Sequence, residues 1–244
     1  MNAYGLTDRG MERFQNEDSI FFSSEPVGSL PNTFIVSDGM GGHRAGEVAS
    51  QKAIKNFCAF VRDKICAPDD LLDFLISAVS YANEKVYEMS LHDPSLYGMG
   101  ATFSACVVSG ARIYIAHIGD SRVYLISGGR ISQITNDHSY VNEMVRAGQL
   151  TADEARKHPR KNELTRALGV EPVCDIDGLV YESDGGDYLL LSTDGLTNML
   201  TDDEILSIIE GTGTLETKTR CLITAANNKG GLDNISAVLA DLRR

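Results

Sequence analysis

The sequence has no apolar run approaching the roughly 18 residues that a membrane-spanning helix requires. Its first residues, MNAYGLTDRGMERF, lack the charged-then-apolar order of a signal peptide. A cytoplasmic protein is therefore expected. Basic residues are in short supply: 22 Lys and Arg stand against 34 Asp and Glu, a formal net charge of -12. Nucleic acids and anionic membrane surfaces attract basic patches, so neither is an expected partner. There is no Cys-x-x-Cys pair; the five cysteines (Cys58, Cys66, Cys106, Cys174, Cys221) are scattered singly, which excludes the usual zinc and redox spacings. They read as reduced, mostly buried thiols. No linker-like, repeated or low-complexity segment divides the chain, and 43% hydrophobic content over 244 residues is enough for a sizeable core, so residues 1–244 are expected to form one domain.

Two long segments carry helical spacing. Val48, Ile54, Phe57, Cys58 and Val61 share one face, and Leu72, Leu75, Ile76, Val79, Val86 and Met89 share another, predicting helices at about 45–61 and 69–91. Between about 100 and 134 the pattern changes to β-branched and aromatic runs (ATFSACVVS, RIYIAHI, RVYLIS, RISQI) separated by Ser-Gly-Ala or Gly-Gly, which predicts an antiparallel meander of hairpins. These strands are apolar on both faces, as in Ile113 and Ile115 against Tyr114 and Ala116, so each sheet must be covered on both sides. An α+β fold of two stacked antiparallel sheets with helices outside meets that demand.

Residues 135–168 interrupt the strands with polar, weakly amphipathic helices, including a capping box at Thr151 and Glu154 and a stop at Pro159, and read as a flap. Strands are expected again at about 174–181 and 187–192. A second capping box (Thr201, Glu204) opens a helix near 202–210, another helix follows at about 214–228, and ISAVLADL closes the chain as a strand.

Aspartates recur at strand ends. FIVSDG delivers Asp38, YLLLSTDG delivers Asp194, RIYIAHIGDSR delivers Asp120, while Asp233 and Asp18 stand just before strands. One such residue is an ordinary turn or cap; five together point to a divalent-metal site. Oxygen ligands without clustered His or Cys select Mg²⁺ or Mn²⁺. A glycine after a ligating aspartate, as at Gly39, lets the backbone carbonyl approach an ion, because nothing at Cβ is in the way. An aspartate bridging two ions is the arrangement that activates a shared water for in-line attack on phosphorus.

TDRGMERFQNED (7–18), DGMGGHRAGE (38–47), GMGAT (98–102), AHIGDSR (116–122), HPRKNELTRALG (158–169), STDGL (192–196) and LDNIS (232–236) together resemble the metal-dependent protein phosphatases of type 2C, in their compact bacterial serine/threonine form. The resemblance spans essentially the whole chain. It implies a β-sandwich flanked by helices and Mn²⁺- or Mg²⁺-dependent hydrolysis of phosphoserine and phosphothreonine in proteins, without a covalent intermediate. It also implies site roles: Asp38 bridging two metals, the Gly39 carbonyl on one of them, Asp194 and Asp233 on the other, and Asp120 on a weaker third ion. Glu17 and Asp18 would act through bound waters. Arg13 would hold phosphate oxygens with its planar guanidinium. His43 would act as an acid or as a positioning group; eukaryotic relatives carry their acid histidine directly after the Asp-Gly pair, where this chain has Met40. Implied partners are phosphorylated proteins and, opposite the enzyme, a bacterial serine/threonine kinase; the chain would be a monomer.

Three other readings are weaker. Gly41 to Gly46 has the glycine spacing of a P-loop, but Glu47 stands where lysine is required. Cys106 and Arg112 match the C-x₅-R spacing of thiol phosphatases, but Val107 and Val108 continue a strand and Ser109-Gly110-Ala111 turns into the next, leaving no helix N-terminus to activate a thiol. A catalytically silent phosphoprotein-binding module would lack a bridging aspartate, whereas every metal position of the pattern is filled.

Overall fold

The computed structural model describes residues 1–42, 45–67, 70–183 and 188–243. Along the chain run β1 (Asn2–Asp8), β2 (Asp18–Ser23), β3 (Thr33–Met40), α1 (Ala45–Asp63), α2 (Leu71–His92), β4 (Gly100–Ala101), β5 (Phe103–Ser109), β6 (Arg112–Ile118), β7 (Arg122–Ser127) and β8 (Arg130–Gln133). They are followed by α3 (Tyr140–Arg146), α4 (Ala152–Lys157), β9 (Asp177–Glu182), β10 (Tyr188–Ser192), α5 (Asp194–Thr197), α6 (Asp202–Glu210), α7 (Leu215–Asn228) and β11 (Ile235–Asp241). One sheet has the order β1-β11-β10-β7-β8; the other runs β2-β3-β5-β6-β9, with β4 paired to β3.

The two-sided strands produce four layers. Ile113 and Ile115 point between the sheets, where they meet Phe34, Val123, Leu189, Leu191 and Val238. Ala116 and Ile118 point the other way, onto Phe57, Leu75 and Val79 of α1 and α2. On the far side Tyr124, Leu190 and Leu239 pack under Ile205, Ile209, Leu222 and Ile223 of α6 and α7. The capping boxes at Thr151/Glu154 and Thr201/Glu204 form as expected, each with side chain and backbone satisfied reciprocally. Among the described residues, no helix is long and apolar enough to cross a membrane.

Three expectations are corrected. The strands at 100–134 are not one meander: β5 and β6 pair in one sheet, β7 and β8 in the other. The chain changes sheets at Gly119, whose φ of +104° and close approach to Thr102 suit only glycine. Second, β9 begins at Asp177 rather than near 174. Third, the cysteines are not mostly buried: Cys58 and Cys106 are, Cys66 and Cys174 are half-buried, and Cys221 is exposed because it lies off the buried stripe of α7.

Candidate active site

Asp38 sits at the end of β3, and the β2–β3 register sets Asp18 directly across from it. Its backbone is clamped on both sides of the peptide: Asp38 N donates to Thr102 Oγ1 at 2.9 Å, and Thr102 N donates to Asp38 O at 2.8 Å. Thr102 Oγ1 lies 2.6 Å from Ser121 Oγ, which ties the end of β3 to the crossover that carries Asp120. Gly39 is required by contact: a Cβ there would lie 2.0 Å from Gly46 O and 2.6 Å from Glu17 O, so the start of α1 closes directly on the strand.

Asp18 joins the two sheets. Its Oδ2 accepts from Thr193 Oγ1 at 2.8 Å and from Ser236 Oγ at 2.6 Å, both on the opposite sheet's side, while Oδ1 is buried with no hydrogen-bond partner. Asp194 follows β10; Asn198 Nδ2 donates to its Oδ2 at 2.9 Å, and its Oδ1 is likewise buried and unpartnered. Asp233 precedes β11 and accepts from Arg13 Nη2 at 2.8 Å.

Arg13, Glu17, Asp38, Gly39, Asp120, Asp194 and Asp233 line a single cavity of about 500 Å³. These predicted residues, scattered from position 13 to position 233, are thus brought together. Asp18 lies behind them, and the predicted His43 lies outside the described residues. Cys106 is remote, buried between the sheets, and burial pushes its thiol far above the usual range. Cys174 does line the cavity, but burial pushes its thiol up to about 11, so it is not a thiolate nucleophile.

Crowding the carboxylates is costly. Burial, followed by the charges of Asp18, Asp194, Asp120 and Asp233, pushes Asp38 well above the usual carboxylate range. Burial and then Asp194 do the same to Asp120. Asp18 is pushed up to about 7 and Asp194 to about 6, each mainly by burial. A divalent cation would reverse that local logic. The residues fit such an ion: oxygen donors only, an excess of negative charge, and two buried carboxylate oxygens with nothing to bind. Among the described residues, no three His, Cys, Asp or Glu side chains are already gathered into a finished cage; Asp233 is held by Arg13 and Asp194 by Asn198 instead.

Sequence reasoning missed three supports. Asn234 staples the Arg13 loop: Nδ2 donates to Arg9 O and Gln15 O at 2.9 and 2.8 Å, and Oδ1 accepts from Glu17 N at 2.8 Å. Arg122 donates to both oxygens of Asp137, binding the end of the crossover to the segment that leads into α3. Arg166, on the cavity wall, pairs with Asp177 at 2.9 Å, and Asp177 also meets His138 Nε2 at 3.1 Å. His138 Nδ1 accepts from Gly119 N, so Nε2 carries the proton and donates. Asn234 stands inside a motif noted above, LDNIS, directly after Asp233, and a polar residue beside a ligand candidate was the available signal.

Comparison with known proteins agrees with this geometry. The family model for protein phosphatase 2C matches residues 12–228. Protein phosphatase PhpP of Streptococcus pneumoniae is 39% identical over 238 residues, 97% of this chain and 96% of its own. The crystal structure of serine/threonine phosphatase Stp1 from Staphylococcus aureus superposes with a TM-score of 0.92 at 32% identity, covering 98% of this chain and 94% of that one. The catalytic domain of serine/threonine protein phosphatase PstP, solved with two manganese ions, gives a TM-score of 0.85 at 34% identity over 98% of this chain and 97% of that one. A four-layer sandwich with its strand-end aspartates gathered in one cavity, matched over nearly its whole length by these proteins, belongs to the protein phosphatase 2C family, in its compact bacterial serine/threonine form.

Proposed function

We propose that this protein is a Mn²⁺- or Mg²⁺-dependent phosphatase of phosphoserine and phosphothreonine in proteins, acting by direct in-line attack of water on phosphorus. The single observation that carries the reading is the convergence of Asp38, Asp120, Asp194 and Asp233 on one cavity that Arg13 also enters. Asp38, the Gly39 carbonyl, Asp194 and Asp233 would hold two ions, and Asp120 would help hold a weaker third. Glu17, on the cavity wall, and Asp18, behind it, would act through ion-bound waters. When bound, the ions supply a low-pKa water and neutralise phosphoryl charge.

The chain's own groups do the rest. Arg13 is half exposed at the mouth, where its guanidinium can leave Asp233 and take two phosphoryl oxygens. Thr102 fixes the Asp38 backbone and bonds the hydroxyl of Ser121, the residue after Asp120, which limits reorganisation of the site during the reaction. No activated thiol faces the cavity among the described residues, which supports water rather than a side chain as the attacking group. His43 is proposed to protonate the departing alcohol or position it.

Residues 135–168 would act as a flap over the cleft within one phosphatase domain, because Leu164, Thr165 and Arg166 lie on the cavity wall. A cytoplasmic monomer working opposite a serine/threonine kinase fits these features. The test is a rapid-quench single turnover with a radiolabelled phosphothreonine peptide. Phosphate should be released only with Mn²⁺ or Mg²⁺, with no label on the protein at any time; a labelled protein would overturn direct attack.

A further inference from the structure

A second depression adjoins the catalytic cavity and is larger, about 1070 Å³; it shares Arg13, Glu17 and Gly41 with that cavity. Its outer walls carry two aromatic rings that the protein leaves in water: Phe14 is 95% exposed and Tyr97 79% exposed. Exposed aromatic side chains of this size are enriched at binding surfaces, where they add contact area at little entropic cost.

Both rings stand on fixed supports. Phe14 directly follows Arg13 in the loop that Asn234 staples through Arg9 O, Gln15 O and Glu17 N. Met11 N, three residues before Phe14, is tied to Gly231 O at 2.8 Å. Tyr97 ends the short turn Pro94–Leu96, whose cap Asp93 accepts from Ser95 N and Ser95 Oγ at 2.9 and 2.6 Å. Met99 N then returns to Leu96 O at 3.0 Å. Pro94, Leu96 and Ala45 line the same groove, as does the acidic Glu12, two residues before Phe14 in the chain.

The catalytic cavity, about 500 Å³, is of a size to take the phosphorylated residue, and a substrate chain several residues longer extends past it across the surface. The groove that continues from Arg13 is the adjoining path. We propose that this groove, between Phe14 and Tyr97, binds the substrate chain beside its phosphoresidue and selects an apolar, above all aromatic, side chain there, while Glu12 disfavours an acidic one. The proposal rests on the phosphatase reading above and adds to it the sequence preference of the same site.

The test uses the full, Mn²⁺-loaded chain and a set of phosphothreonine peptides in which one Phe is walked through an alanine background on either side of the phosphoresidue. A small aryl phosphate, too short to reach the groove, is measured alongside as the reference. One Phe position should raise kcat/KM about fivefold or more over the all-alanine peptide, and Asp at that position should lower it. Phe14→Ala and Tyr97→Ala should each cut the ratio of peptide to aryl-phosphate kcat/KM by a similar factor, with Phe14→Tyr restoring it. Both side chains are exposed, so neither substitution removes core contacts. Equal cleavage of all peptides by the unaltered protein, or a preference that survives in both alanine variants, would overturn the groove assignment. Failure to cleave either the peptides or the aryl phosphate would overturn the phosphatase reading, and this assignment with it.

Discussion

Arg13 Nη2 lies 2.8 Å from Asp233 Oδ2, so the group best suited to grip phosphate is paired with a carboxylate proposed to hold a metal. The two roles compete in the metal-free protein. Arg13→Ala should therefore bind Mn²⁺ at least as tightly as the unaltered chain while losing phosphate recognition, with kcat/KM down roughly tenfold to a hundredfold, about 1.4 to 2.7 kcal/mol. Calorimetric Mn²⁺ titration and peptide kinetics on the same sample separate the two effects. Weaker metal binding in this variant would mean that Arg13 supports the site rather than competing for it.

Asp38 and Asp194 should be worth more to activity than to the fold. Removing either carboxylate by Asp38→Asn or Asp194→Asn relieves like-charge crowding, so the metal-free variant should melt a few degrees higher, roughly 2–4 °C for about 1 kcal/mol. Turnover should nevertheless fall at least about a hundredfold. A variant that keeps activity within a few-fold, or melts lower without metal, would contradict the assignment.

The pH dependence of the metal-stripped protein follows from Asp18 and Asp194, pushed up from an ordinary 3.8 to about 7 and about 6. In the fold these carboxyls keep their protons at pH values where the unfolded chain has already lost them. Their contribution is whole below pH 3.8 and is lost as pH rises through about 6 to 7. Denaturant midpoints taken between pH 4 and pH 8 should decline more steeply for the unaltered metal-free chain than for Asp18→Asn. Parallel profiles would argue against a strained Asp18.

Asn234 makes three hydrogen bonds to the backbone of the Arg13 loop, and losing them leaves half-buried amide and carbonyl groups without their protein partner. Asn234→Ala should cost about 2–4 kcal/mol and raise KM for phosphopeptides. Urea unfolding and steady-state kinetics check both halves. Unchanged KM with lower stability would confine Asn234 to a packing role.

Much of this was legible in the sequence because local signals and global placement agree. Asp38 and Asp194 each close an apolar run with Asp-Gly, and the capping boxes at Thr151 and Thr201 need only residues three apart. The sheet change after β6 was not legible, since β6 and β7 are apolar on both faces and would read the same in either sheet. Nor were the supports that act across the chain. Asn234 binds the backbone of Arg9 and Gln15, and Asp18 accepts from Thr193 and Ser236; side chains of this kind carry no spacing that marks distant partners.

The most direct measurement is hydrolysis of a phosphothreonine peptide by metal-stripped protein, with and without Mn²⁺, beside a sample whose thiols have been exhaustively alkylated. Exposed Cys221 should react readily, and neither buried Cys106 nor half-buried Cys174 on the cavity wall should be required as a nucleophile. Turnover that needs Mn²⁺ and survives alkylation is the expected result. Turnover that ignores the metal and is lost on alkylation would contradict it.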